Sequence, residues 1–350
     1  MQDYKIYNFG DLVPDSRALI DATLILGNGA SIAVNSCFNY INLFDKACGN
    51  SILDQTSKAL FEALETTDFE LVMNKLRQAH VINKVLNLDH DDIAFKTYDN
   101  IRSSLISAVK ETHIKFNDVP FQIDDIRKFL EQFGTVISLN YDLLVYWAVI
   151  ASNSVTPYKM KDCFVKNLGS GILGFEYDIK MLREPYHGVQ NPTLVFYPHG
   201  NLMLANNENN EEFKIRLNSQ NNLFDEIGEK WKDNCVPLFV SEGDSKQKLK
   251  AIRRSTYLNF VYENVLSDLG KVAIIYGWRL AEQEEHLISK IFHKGSIKVV
   301  FVSIYIGDNP DYGRLGIEQE RIVRTLKREN SNLDVRFFDA SSKNCWCNSN

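Results

Sequence analysis

The feature that most constrains this chain is a series of short apolar runs. Each stops at a small or polar turn, and helical lengths separate most of them. Residues 22–26, Ala-Thr-Leu-Ile-Leu, stop at Gly27. Then Ile32, Val34, Phe38, Ile41, Leu43 and Phe44 recur at helix-like spacing. The run at 135–139 stops at Asn140-Tyr141-Asp142, and that at 194–197 stops at Pro198-His199-Gly200. Residues 236–240 stop at Ser241-Glu242-Gly243, and 272–276 at Gly277. Runs at 297–302 and 333–338 follow, the last after a charged helix at about 314–329. Strands separated in this way predict an α/β, Rossmann-like fold, a mainly parallel sheet with helices on both faces.

One interval is far longer than a crossover needs. From about 51 to 132 the pattern is helical, with Leu71, Val72, Leu76, Ala79 and Ile82 on one stripe and Ile101, Leu105, Ile106 and Val109 on another. We read 51–132 as a helical insertion after the first βα unit of a single domain spanning 1–350. Residues 153–190 and 205–222 look irregular, the second being an Asn- and Glu-rich exposed loop.

Composition narrows the function classes. The chain of 350 residues carries a net charge of -6, which argues against a general nucleic-acid surface. No apolar run reaches the length of a membrane span, and the N-terminus lacks the basic-then-apolar order of a secretory signal. The six cysteines are scattered with no C-x-x-C pair, so neither a disulfide framework nor a metal site is expected. Cys345-Trp346-Cys347 falls in a polar stretch expected to fray. The plain expectation is a reduced, cytoplasmic protein.

Chemistry concentrates at the strand ends, where open parallel sheets bind ligands. Gly27-Asn28-Gly29-Ala30-Ser31 ends the first buried strand, as a dinucleotide-binding turn does. Its small residues would let backbone N–H groups reach a pyrophosphate, and Ser31 could donate a hydroxyl. Ile32 stands where a third glycine would be, and Asp45 lies within a helix rather than at a ribose-binding position. Both argue against a hydride-transfer dehydrogenase. Asp142 suits a helix cap; Asn140 is less simply explained by a turn. His199, at a strand end near that pair, is placed for acid–base work. His187-Gly188 has no clear strand before it. Glu284, Glu285 and His286 read as a solvated helix face, and Thr67-x-x-Glu70 as a capping box.

The ordered set Gly27-Asn28-Gly29-Ala30-Ser31, Asn140-Tyr141-Asp142, His199-Gly200 and Gly277 resembles the SIR2 family of sirtuins and their bacterial relatives. Val240-Ser241-Glu242-Gly243, Lys248, Ile252, Tyr257, Leu258 and Tyr276-Gly277-Trp278-Arg279-Leu280 look like a bacterial SIR2-like group. The resemblance covers about 22–305. It implies that Gly27, Gly29 and Ser31 hold the pyrophosphate of NAD⁺, and that Asn28, Ala30 and Gly200 also belong to the NAD⁺-binding site. It implies further that Asn140 holds the ribose and the attacking water, and that Asp142 takes the nicotinamide carboxamide. His199 would be the general base, and Gly277 would admit the adenosine half. The four-cysteine zinc ribbon and the Pro-Asp-Phe-Arg stretch of sirtuin deacylases are missing, and Trp278 replaces their usual Ser or Thr.

Zinc-less relatives of this kind hydrolyse NAD⁺, often in antiphage defence. The resemblance therefore implies a regulated NAD⁺ hydrolase that releases nicotinamide and ADP-ribose in abortive infection, with NAD⁺ as substrate and no metal. A regulatory protein partner or a homo-oligomer would restrain it. Two other readings stand beside it: a non-catalytic NAD⁺ or ADP-ribose sensor using the same turn, and, at greater distance, an NAD-dependent protein deacylase.

Overall fold

The computed structural model describes residues 4–12, 19–38, 43–49, 52–88, 92–166, 172–207, 209–215, 223–232, 235–240, 244–293, 295–307 and 309–348. Among them the strands are β1 (Ile6–Tyr7), β2 (Ala22–Leu26), β3 (Thr135–Ser138), β4 (Met160–Lys161), β5 (Phe164–Lys166), β6 (Leu173–Phe175), β7 (Thr193–Phe196), β8 (Gly200–Asn206), β9 (Glu212–Lys214), β10 (Val236–Phe239), β11 (Val272–Tyr276), β12 (Val299–Ile304) and β13 (Asp334–Asp339).

Eight of these make one sheet in the order β1-β13-β12-β11-β2-β3-β7-β4, and every neighbouring pair is parallel. All residues of β2, β3 and β7 are buried, as strands covered on both faces must be. Taken in chain order, the central six strands run third, second, first, fourth, fifth, sixth across the sheet. That is the doubly wound order of dinucleotide-binding folds, and its switch point lies between β2 and β11. The position at which such sheets take ligands therefore falls where Gly27 and Gly277 follow those two strands.

The crossover from β2 to β3 holds helices and no strand among its described residues. It contains helices Asn28–Val34, Leu43–Gly49, Gln55–Ala63, Phe69–Leu86, Ile93–Thr112 and Pro120–Leu130. Val72, Met73 and Leu76 of one long helix and Ile101, Leu105 and Ala108 of the next are buried, so the apolar stripes face inward. The Phe69–Leu86 helix starts at Asp68, whose Oδ1 accepts the Leu71 N–H at 3.1 Å; the cap is therefore Asp68 rather than Thr67. Arg102 Nη1 donates to the Trp231 carbonyl at 3.0 Å and Tyr98 Oη to that of Cys235 at 3.3 Å, tying the helical segment to the chain around β10.

Four expectations change. The run at 236–240 forms strand β10, but in a second, antiparallel sheet of order β10-β8-β9-β6-β5. A short fully buried run reads the same in either kind of sheet, so its apolar pattern could not choose between them. The segment 153–190 is partly ordered, supplying β4, β5, β6 and the helix Ile179–Arg183. The loop expected from 205 onward holds the end of β8 and all of β9, and 216–222 lie outside the described residues. The stretch around Cys345-Trp346-Cys347 is packed into the molecule: Trp346 is 2% exposed and Cys345 is buried. Ser241, Glu242 and Gly243 lie outside the described residues.

Candidate active site

The glycines come first, because the approach of the two strand ends depends on them. Gly27 N–H donates to the Tyr276 carbonyl at 3.0 Å, and Gly29 N–H donates to that of Gly277 at 2.8 Å. A Cβ on Gly27 would stand 2.4 Å from Trp278 Cα, and one on Gly29 would stand 2.8 Å from Gly277 Cα. Gly277 itself has φ +67, and a Cβ there would meet the Ala30 nitrogen at 2.2 Å. These glycines thus let the loops after β2 and β11 lie backbone to backbone. The amides of Gly27, Gly29 and Ala30 are all spent inside the protein, Ala30 on the Gly27 carbonyl at 2.9 Å. Asn28 is exposed at the turn. Gly200, with φ +74, is pressed against Leu238 and Phe239 of β10.

A polar network then joins β2 to β3. Asn140 Nδ2 donates to the Gly27 carbonyl at 3.0 Å and to Ser31 Oγ at 2.9 Å. Ser31 is 1% exposed, and its hydroxyl donates to Asp142 Oδ2 at 2.5 Å. Asp142 Oδ1 accepts the Leu144 N–H at 2.9 Å from just before the helix Leu144–Val155, whose N-cap is Leu143 and not the expected Asp142. Ser31 is therefore a strut between Asn140 and Asp142, not a free donor for phosphate. Burial pushes the Asp142 carboxyl above its usual range, against the Ser31 and Leu144 hydrogen bonds. With its amide committed inward, Asn140 keeps Oδ1 as an acceptor that no donor reaches among the described residues.

Two further side chains hold this corner. Asn201 Nδ2 donates to the Asp142 carbonyl at 2.6 Å, linking β8 to the turn. His113 Nε2 accepts the Leu143 N–H at 2.9 Å, and its Nδ1 lies 2.8 Å from the Ile114 carbonyl, which fixes a neutral ring. Burial takes its pKa down to about 4. Sequence reading missed His113, because it lies 30 residues from its partner in a stretch without periodic signal.

His199 lies in the short turn between β7 and β8 and is 3% exposed. Burial, reinforced by the nearby Lys248 ammonium, lowers its pKa to about 3, while a hydrogen bond to the Leu139 backbone opposes the shift. Its Nε2 lies 3.4 Å from His286 Nε2 and 3.5 Å from Glu284 Oε2. Glu284 Oε1 accepts from Lys248 Nζ at 2.5 Å. His286 is 6% exposed, so the solvated face expected at 284–286 holds only for Glu285, whose side chain is 53% exposed. The ligand atoms of His199, Glu284 and His286 lie within 4.8 Å of one another, close enough to share a cation, but the Lys248 ammonium already balances the carboxylate there. His187, in contrast, lies in an exposed turn, stacked on Tyr158 at 5.3 Å between ring centroids.

The structure thus brings together Gly27–Ser31, Asn140, Asp142 and Gly277 through direct hydrogen bonds, and it joins His199 to them through the Leu139 backbone. No curated protein matches the chain. The family described as Domain of unknown function (DUF4917) matches residues 24–346, a span that takes in every strand end just described, and the chain belongs to that family.

Proposed function

We propose that this protein hydrolyses NAD⁺ to nicotinamide and ADP-ribose. The observation that carries the reading is the joining of the β2, β3, β7 and β11 ends at the carboxyl edge of a doubly wound sheet, the edge at which such sheets take dinucleotides. The glycosidic bond to a pyridinium breaks with its electron pair going to the ring, which leaves neutral. The transition state carries positive charge on the ribose, as in glycoside hydrolysis. What the protein must add is a positioned water, a base and a dry pocket. Asn140 Oδ1 suits the first, and neutral His199 the second. Asp142, buried and braced, suits the nicotinamide carboxamide. Purified protein, with any activator it requires, is expected to release nicotinamide from NAD⁺. His199→Ala should lower the rate by about 100-fold or more if the ring is a general base, and Asn140→Ala should also abolish NAD⁺ loss in cells. NAD⁺ that persists under activating conditions, unchanged by either substitution, would sink the reading.

An unrestrained enzyme of this kind would drain its own cell of NAD⁺. Control by a protein partner or by self-assembly, and a role in abortive infection, belong to the same proposal. One observation favours a second reading. His199 is buried and its pKa is lowered to about 3, which makes it a weak base at neutral pH and suits a sensor of NAD⁺ or ADP-ribose that binds without turnover. It predicts thermal stabilisation by ligand that survives His199→Ala, with no hydrolysis by the wild type.

A further inference from the structure

We propose that Glu284 and His286 are positioning residues for His199, and that the three together receive the proton that hydrolysis releases. The inference rests on the NAD⁺ hydrolase reading. It begins from an oddity of packing. His199 Nε2, His286 Nε2 and Glu284 Oε2 converge: the two ring nitrogens lie 3.4 Å apart, and Glu284 Oε2 stands 3.5 Å from His199 Nε2 while buried without a hydrogen-bond partner. A buried carboxylate oxygen and an imidazole nitrogen that face each other with no proton between them are unfavourable. One proton would satisfy them.

Every other polar atom of the cluster is committed. His286 Nδ1 lies 3.2 Å from Ser245 Oγ, which also accepts the His286 N–H at 2.9 Å. Tyr262 Oη donates to the His286 carbonyl at 3.1 Å. Lys248 Nζ holds Glu284 Oε1, and the Leu139 backbone takes the remaining hydrogen bond of His199. The vacant position is therefore specific: it adjoins His199 Nε2.

The proton balance fits this position. A water O–H bond breaks as its oxygen bonds C1′, and the C1′–N bond breaks with its pair going to neutral nicotinamide. One proton remains, and His199 Nε2 receives it directly or through a ribose hydroxyl. The imidazolium then donates to Glu284 Oε2 or His286 Nε2 before the proton passes to water. Lys248 has the opposite task. Burial keeps both rings neutral at rest and the Lys248 charge adds to it, so that the base is free when substrate arrives.

The two charges predict opposite signatures. Glu284→Gln removes the group that favours the protonated base, so the acid limb of the kcat–pH profile should move to lower pH. Lys248→Met should move it to higher pH, each by about one unit. Glu284→Gln and His286→Asn should lower kcat about tenfold to 100-fold, with KM and the NAD⁺-induced rise in Tm little changed. The measurement is nicotinamide release by wild type and variants from pH 2 to 8, with thermal unfolding at each pH checking that each variant is folded. Activity in the wild type with kcat within threefold in both variants, or limbs that do not move apart, overturns the inference alone. A wild type that never hydrolyses NAD⁺ overturns the functional reading and this inference with it. One equivalent of zinc or manganese bound by the wild type and lost in His286→Asn overturns it as well, since the position would then belong to a cation. If Glu284→Gln does not fold, the His286→Asn rate and the Lys248→Met limb decide the matter.

Discussion

His199 and His286 are buried and His113 is half-buried, all as neutral rings, with pKa values lowered to about 3, 3 and 4. In the unfolded chain each titrates near 6.5. Between that value and the folded ones the unfolded state binds more protons, so the stability these rings permit is complete above about pH 6.5 and is lost as pH falls. Each contributes a slope of up to about 1.4 kcal/mol per pH unit across that window. Urea midpoints should therefore fall between pH 7 and 5, before most carboxylates take up protons. His113→Gln should flatten the slope; a midpoint independent of pH in that range would show that the rings are not held neutral. The same residues show what a sequence reveals at this scale. Asn140, Asp142 and His199 were legible because each follows an apolar run, which places it at a strand end. His113, Asn201, Lys248, Glu284 and His286 were not read as part of the site. Their partners lie far along the chain, and a helix pattern around 284–286 does not tell which side meets the sheet.

At the scale of elements, the short helix Asn28–Val34 depends on a segment more than 300 residues away. Trp346 Nε1 donates to the Ala30 carbonyl at 2.7 Å, and its ring packs against Tyr276 and Phe129. Tyr276 Oη in turn donates to the Ala340 carbonyl at 3.0 Å. The stretch after β13 thus clasps the turn that follows β2. Trp346→Ala should cost about 3–5 kcal/mol in urea unfolding through lost packing. Trp346→Phe should cost about 1 kcal/mol, the worth of the hydrogen bond, and should loosen the 27–31 turn as read by amide hydrogen exchange. Equal stability of the two variants would refute the clasp. Local sequence gave no hint of it, since the residues around Trp346 are polar and lack periodicity. The central strands were legible because burial on both faces leaves continuous apolar runs. β1 was missed because two residues at a sheet edge, Ile6 and Tyr7, leave no pattern. β10 was found but assigned to the wrong sheet, because direction is set by its partner β8 and not by its own residues.

Across the whole molecule, the buried side chains of the helical segment and of the sheet form one continuous core, from Val72 and Ile101 to Leu24 and Ile274. Unfolding by urea should therefore be a single transition, with exchange protection in Ile93–Thr112 lost together with that in β2 and β11. Earlier melting of the helices alone would mean that they form an independent unit. The sheet is also assembled from distant pieces. Thr23 of β2 pairs with Thr135 on one side and with Ala273 on the other. Pairings across such separations form slowly. They also set an order in time, because a chain emerges from the ribosome N-terminus first. While residues before 272 are being made, β2 has no β11 beside it, and the Ala30 carbonyl has no indole to hold it until Trp346 appears. A nascent chain therefore carries an open, unlatched turn. The corner where β2, β3 and β11 end is therefore completed only after Trp346 has left the ribosome.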